Sequence, residues 1–487
     1  MGMIKKREQV TALPDSNQSN ANGPVRPNVL LLVADQHRLD CLGAYGRFVG
    51  IRTPNLDRLA AGGAFFEHAF TPNPVCAPAR QALLSGLSPD SYGGLWNPDF
   101  LATPTLQPSP AFYTAALARA GYTCSLVGKW NSSLTHQPAD FGFAEHIDYD
   151  AYHRLIAMRY GTIPWQERWF GEASPVPLED SKTHWAARQV CSLIRQRTEA
   201  NEPWLIRLDF TDPHLPCRPS EPFASLIDPD QVEPWDSFGD TLEGKPYIQR
   251  QQLVNWDLVG KTWSDWRPTV AFYYGMIAQI DDAVGLMLDQ LIELGIDRET
   301  IVIYTSDHGD LCGGHGMIDK HYTLYDDVTR VPLIIRYPDY QGQQPAGRRI
   351  GEFVSNCLDI GATLADLCGL ADVDPGVGIS LAPLLRGESQ PARDFAVSSA
   401  NGQQFGLFTQ RCIRTDEWLY VWNLTDTDEL YAIEQDPGQK VNRIQEIDLS
   451  VTLAGLRKRL YAELIRRRDP FARTFWLEGQ LLHNRKL

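Results

Sequence analysis

The chain has 487 residues, 43% of them hydrophobic, and a net charge of −15. That length can bury a large core and suits one large domain with a smaller companion, while the charge argues against nucleic acid or an anionic membrane as partner. Nine scattered cysteines, an odd number without a C-x-x-C pair, argue against a disulfide framework or zinc ribbon and suit a reducing compartment.

Residues 1–27 begin with Lys5, Lys6 and Arg7 and continue into a polar run from Asp15 to Pro24. A signal peptide needs an apolar run of about 7–15 residues and a spanning helix about 20, so this stretch reads as a flexible arm on a cytoplasmic protein with no membrane partner. Short runs rich in branched residues, each bounded by turn signals, read as strands buried on both faces: Asn28 to Ala34, Thr123 to Val127, Trp204 to Phe210, Thr300 to Thr305 and Val331 to Arg336. Helical patterns fall between them at Pro54 to Ala61, Arg80 to Ser85, Tyr113 to Ala120, Thr183 to Arg197 and Val270 to Leu294. This alternation predicts an α/β domain over 28–371, a mostly parallel sheet sandwiched by helices. From 372 to 467 the segments shorten, predicting a small antiparallel sheet with a helix from Thr452 to Arg467. Residues 468–487 carry Phe471, Phe475, Trp476 and Leu477 and read as an extension docked on the body or on another subunit, the latter making a homo-oligomer.

In a parallel sheet, chemistry collects beyond the carboxyl ends of the strands. The first strand runs into Asp35-Gln36-His37 and the fourth into Asp307-His308. Two carboxylates converging on one edge suit a hard divalent cation, with the Gln36 amide oxygen and a His308 nitrogen completing the shell. A nitrogen ligand tilts the choice toward calcium or manganese over magnesium. Lys129 follows the second strand, His214 lies in the loop after the third, and Lys320 comes twelve residues after His308. Cations in three loops over a metal site suit cleavage of a sulfate or phosphate ester. Cys76-Ala77-Pro78-Ala79-Arg80 opens a predicted helix and adds a nucleophile, an anion-binding helix end and a guanidinium.

This ordered set resembles the sulfatase family of the alkaline-phosphatase-like superfamily. The matching pieces are NVLLLVADQ, TPNLDRLAAGGAFFEHAFTPNPVCAPARQALLSG, LVGKW, TDPHLP, YTSDHGDLCGGHGMIDKHYTLYDDVTRVPLI and, near the end, ELYAIEQDPGQ. The resemblance implies that a separate formylglycine-generating enzyme converts Cys76 to formylglycine, whose hydrated aldehyde attacks sulfur and then expels sulfate as a hemiacetal collapses. It further implies that Asp35, Gln36, Asp307 and His308, with the residue at Cys76, hold one divalent metal. Arg80 would steady the diol, Lys129 and Lys320 would bind sulfate oxygens, and His214 would protonate the leaving alcohol.

The chain departs from the sulfatase pattern at three places. Gln36 and His308 resemble the phosphonate monoester hydrolase branch, as does Asn97 as a substrate contact. Asn131 stands where sulfatases carry the histidine expected to assist hemiacetal collapse, and an amide takes no proton there. The expected activity is hydrolysis of an organic sulfate monoester, with a phosphonate monoester or phosphodiester as the alternative and an inactive metal-binding scaffold as the remote one. Trp165, Trp169, Trp185, Trp235, Trp256, Trp263 and Trp266 fall in segments that could line the pocket entrance, where a sugar, aryl or alkyl group would sit, or could simply pack.

Overall fold

The structure, a computed structural model, describes residues 26–46, 50–98, 103–320, 322–338, 347–388, 393–402 and 407–486. All of the expected amino-terminal arm except Arg26 and Pro27 lies outside them, as does His321.

Twelve strands are described: β1 (Asn28–Asp35), β2 (Ala64–Phe70), β3 (Thr123–Gly128), β4 (Glu145–Ile147), β5 (Trp204–Pro213), β6 (Thr300–Ser306), β7 (Leu333–Arg336), β8 (Arg348–Ser355), β9 (Phe395–Asn401), β10 (Thr409–Thr415), β11 (Trp418–Asn423) and β12 (Glu429–Ala432). The first eight form one sheet in the order β4-β3-β5-β1-β6-β7-β2-β8. It is parallel except at β7, which runs antiparallel to both β6 and β2. Central β1 pairs with β5 from Val29 opposite Leu205 and with β6 from Asn28 opposite Thr300 through Ala34 opposite Ser306. Its side chains are buried on both faces from Val29 onward, as its unbroken apolar run predicts.

Helices cover both faces. On one side the helices Lys182–Glu199 and Trp263–Glu293 bury Trp185, Val190, Ile194, Ile280 and Leu288 against Leu30, Leu32 and Ile206. On the other, Cys76–Ser85 and Asn356–Leu367 bury Ala82, Leu83, Leu358 and Leu364 against Leu31, Val33 and Ile303. Each fully buried aliphatic side chain contributes about 1.5–3 kcal/mol. Pro268 lies in the first turns of Trp263–Glu293, and the helix opens with a capping box between Thr262 and Asp265, two turns before the expected Val270.

Strands β2, β4 and β8 do not stand out in the sequence, because charged residues interrupt each of them: Glu67, Glu145 and Arg349. Leu381, Leu384 and Leu385 still pack into the core of the large sheet, and the antiparallel strands begin at Phe395. Those strands form a four-stranded meander, β12-β11-β10-β9. One face packs on the loop after β6 through Leu311, Met317, Leu324 and Tyr325. The other carries the helix Ser450–Arg466. The extension folds back on this subdomain, where Leu477 and Leu481 pack with Trp422, Leu456 and Leu460. Phe475 and Trp476 remain 68% and 64% exposed, leaving an aromatic pair on the surface.

Candidate active site

Strand order alone lines up the polar strand ends. With β3, β5, β1 and β6 adjacent and parallel, Lys129, Asp209, Asp35 and Asp307 fall along one carboxyl edge. Gly128 makes the second of these turns possible. Its φ is +94°, and a Cβ there would lie 2.2 Å from the Asp209 carbonyl oxygen. The same close approach lets the Lys129 amide donate to that oxygen at 2.9 Å.

The helix Cys76–Ser85 points its amino end at this edge. Every residue of it is buried, and Cys76 and Arg80, one turn apart, share a face. Val75 offers no side-chain cap, and Asn97 supplies one from a distant loop, accepting from the Ala77 amide at 2.9 Å. Arg80 then reaches three carboxylates: Asp307 at 2.9 Å, Asp35 at 3.1 Å and Asp209 at 2.7 Å. Asp209, itself gripped by Arg207 through two bonds of 2.7 Å, is a positioning residue that the sequence reading passed over. Its signal was a charged pair, Arg207 and Asp209, two residues apart in a buried strand.

Donor atoms of Asp35, Cys76, Asp307 and His308 all lie within 4.8 Å of one another, every one buried. Cys76 Sγ is 3.2 Å from His308 Nε2 and 3.6 Å from Asp35 Oδ1. The electrostatics match a cation site. Burial and the neighbouring Asp35 raise the proton affinity of Asp307. Burial opposes charge on His308, but Asp307 and Cys76 overcome it and push the ring up to about 9. Burial also opposes charge on Asp35, yet Lys129 and Arg80 hold its carboxyl well below the usual range. Two carboxylates, a thiol and an imidazole compete for protons at one point, a conflict that a divalent ion on oxygen and nitrogen ligands relieves. The residues therefore fit one divalent metal ion.

The Gln36 side chain is tied into the neighbouring loop. Its Nε2 donates to Asp310 at 2.6 Å and Asp319 at 3.0 Å, and its Oε1 accepts from Lys320 Nζ at 3.1 Å. The backbone of Gln36 has φ +76°, a left-handed turn for a residue with a Cβ, fixed by Tyr273 donating to its carbonyl at 2.6 Å.

The cations converge as well. Lys129 Nζ reaches Asp35 at 2.5 Å, and Lys320 Nζ reaches Asp319 at 3.1 Å and His214 Nε2 at 2.7 Å. Since an ammonium only donates, His214 accepts at Nε2 and donates from Nδ1 to the Leu215 carbonyl at 2.7 Å. Burial and Asp35 work against ionisation of the Cys76 thiol, but Lys129, Lys320 and His308 outweigh them and hold it well below the ordinary range. Asn131 follows on the β3 loop with its buried Oδ1 lacking a hydrogen-bond partner among the described residues.

A cavity of about 490 Å³ opens from Lys129 and His214. Of the seven tryptophans, Trp165 alone is among its described lining residues. Trp185 packs beneath the sheet, Trp169 meets Trp266 edge to face, Trp256 meets Phe170, and Trp235 and Trp263 meet each other. These six pack against one another and their neighbours, Trp185, Trp235 and Trp266 buried and the other three partly so.

A family model described as "Sulfatase" matches residues 27–370, and one described as "N-sulphoglucosamine sulphohydrolase, C-terminal" matches 313–466. An arylsulfatase of Clostridium perfringens is 27% identical over 479 residues, covering 92% of this chain and 96% of the relative. A Δ4,5-hexuronate-2-O-sulfatase of Bacteroides thetaiotaomicron is 26% identical over 469 residues, covering 93% and 91%. Among solved structures, the phosphonate monoester hydrolase of Agrobacterium radiobacter superposes with a TM-score of 0.76 at 26% identity, covering 91% of this chain and 96% of that one. The first match spans the nucleophile peptide, the buried carboxylates and all three cationic loops, and on that extent the chain belongs to the sulfatase family.

Proposed function

We propose that this chain hydrolyses the sulfate monoester of a carbohydrate or a small aryl or alkyl alcohol, using formylglycine formed from Cys76 by a separate maturation enzyme. The observation that carries the reading is the convergence of Cys76, Asp35, Asp307 and His308 within 4.8 Å, with Lys129 held on Asp35. Formylglycine at position 76 would supply the attacking oxygen that a thiol does not. Asp35, Asp307 and His308 would hold the ion, calcium before manganese or magnesium, with the Gln36 oxygen as a further ligand once Lys320, which donates to it, turns to the sulfate; the bound ion would supply Lewis acidity to the ester oxygens.

The chain's own groups account for the remaining steps. Arg80, locked by three carboxylates, fixes the orientation of residue 76 across one helical turn. Lys129 and Lys320 offer ammonium groups to the sulfate oxygens from opposite loops. His214, held at Nε2 by Lys320, would protonate the leaving oxygen once Lys320 turns to the sulfate and leaves that nitrogen free to carry a proton. Asn97 acts here by holding the helix end, and Asn131 is left as an amide contact to substrate.

Relatives named for sulfated sugars support the carbohydrate class. The phosphonate monoester hydrolase likeness, together with Gln36 and His308, supports phosphonate and phosphodiester hydrolysis as a second activity of the same site. We further assign the protein to the cytoplasm, supported by nine cysteines that are all free, and to a homo-oligomer, supported by the exposed Phe475 and Trp476. No helix among the described residues is long and apolar enough to cross a membrane.

The test is kcat/KM for an aryl sulfate, a phosphodiester and a phosphonate monoester, on protein co-expressed with a formylglycine-generating enzyme and checked for the aldehyde by peptide mass. Preference for the sulfate supports the reading, and preference for either phosphorus ester overturns it.

A further inference from the structure

Two ion pairs stand at the cavity that Lys129 lines. Arg218 pairs with Glu172 at 2.9 Å, and the side chains are 27% and 5% exposed. Lys182 lies 3.7 Å from Asp212, and these are 29% and 11% exposed. Arg218 and Lys182 both line the cavity; Glu172 lies behind Arg218, whereas Asp212 lines the cavity beside Lys182.

The carboxylates are also occupied. Glu172 receives Arg218 Nε at 3.1 Å and the Gln166 amide at 2.6 Å. Asp212 accepts from the hydroxyls of Thr183 and Thr211, and it is the one acidic side chain among the described residues that line the cavity. Arg218 is held flat, its guanidinium 4.1 Å over the Trp165 ring, while Lys182 stands 5.6 Å over Tyr149. A guanidinium fixed on its far edge by a buried carboxylate and on its face by an indole is preorganised to receive an anion, since little side-chain entropy remains to be lost.

Resting on the sulfatase reading, we propose that the leaving alcohol carries a second anionic group, a carboxylate or another sulfate, received by Arg218 and Lys182. The esterified sulfate goes to Lys129 and Lys320, and the alcohol spans the cavity between two cationic ends. Trp165 and the apolar wall of Ile156, Ile163 and Val176 pack the ring between them.

The test uses full-length, formylglycine-converted enzyme with 3- and 4-sulfooxybenzoate against their methyl esters, and 1,4-phenylene disulfate against 4-methoxyphenyl sulfate. Wild type, Arg218→Gln and Lys182→Gln are compared. We expect kcat/KM to favour an anionic member of a pair by about tenfold, mostly through KM. The ratio should fall several-fold in each variant and shrink as salt is raised. The first arm reports a carboxylate and the second a sulfate. A wild-type ratio near one in both arms, or a ratio that neither variant changes, overturns the proposal while leaving the sulfatase reading intact. Failure of every sulfate ester beside turnover of a phosphonate overturns the sulfatase reading and the proposal with it. Lys182→Gln keeps the question open to disproof should Arg218→Gln not fold.

Discussion

Two regions of this molecule bury charge, and they do so differently. Beneath the four-stranded sheet, opposite charges close on one another. Arg411 lies between Asp90 at 2.9 Å and Asp469 at 2.5 Å, Arg457 meets Asp428 at 3.1 Å, and Arg467 meets Glu463 at 2.7 Å. At the carboxyl edge of the large sheet, Arg80 and Lys129 also close on carboxylates, but groups that compete for the same charge stand side by side among them. Asp35 and Asp307 flank one thiol, and Lys320 abuts His214. A closed pair leaves no buried charge uncompensated until one partner is removed, whereas groups competing for one charge make physical sense when a ligand supplies what is missing. Breaking the first kind should therefore cost stability, and breaking the second should cost chemistry.

The largest effect is expected at the nucleophile. Cys76→Ala should reduce kcat/KM by about 10⁴-fold or more while circular dichroism and thermal midpoint stay near wild type; retained activity would remove the formylglycine mechanism. In the paired region, Asp469→Ala should cost about 3 kcal/mol in urea unfolding, because Arg411 keeps its charge and loses one of two partners. An unchanged midpoint would show that Asp90 alone suffices.

Lys320→Ala should lower kcat by about 10²–10³-fold, the loss typical of one preorganised donor to a developing anion, with little change in stability. A fall in stability instead would place Lys320 in the structural class. The most specific effect concerns pH. Burial opposes charge on Glu463, but Arg466 and Arg467 pull its carboxyl down to about 2. A folded-state value below the unfolded one contributes stability above the ordinary glutamate range, and that contribution fades as pH falls from about 4.5 toward 2. Glu463→Gln should therefore destabilise by about 3 kcal/mol near neutral pH, with the gap to wild type narrowing below about pH 4.5. A gap independent of pH would mean that the side chain acts by packing alone.

Much of the large sheet was legible because β1, β3 and β6 are largely apolar runs that end in polar residues, and β5 keeps enough apolar residues around Arg207 and Asp209 to read the same way. The edge strands β4 and β8 were not, since a strand half open to solvent tolerates charges such as Glu145 and Arg349. Strand β7 was legible as a strand but not as an antiparallel one, because an apolar run carries no direction. At the site, Asp35, Cys76, Arg80, Lys129, His214, Asp307, His308 and Lys320 could be named from their places after strands and at a helix start. Asp209 and Asp319 could not, because their partners are distant in sequence: Arg80 for the first, the Gln36 amide for the second. Arg218 and Lys182 carry no motif at all, and Trp165 differs from six other tryptophans only in which way it faces.

By itself the sequence determined the chemistry available: a modifiable cysteine at a helix start, carboxylates after strands, and cations in loops, all properties of local spacing. The tertiary structure decided which partners these groups have. Strand order set Asp35 beside Asp307, the Gly128 turn brought Lys129 onto Asp35, and the loop after β6 laid Lys320 against His214. Local propensity acts over a few residues, whereas the charge on a buried group depends on what lies within a few ångströms of it, and only the folded chain fixes that.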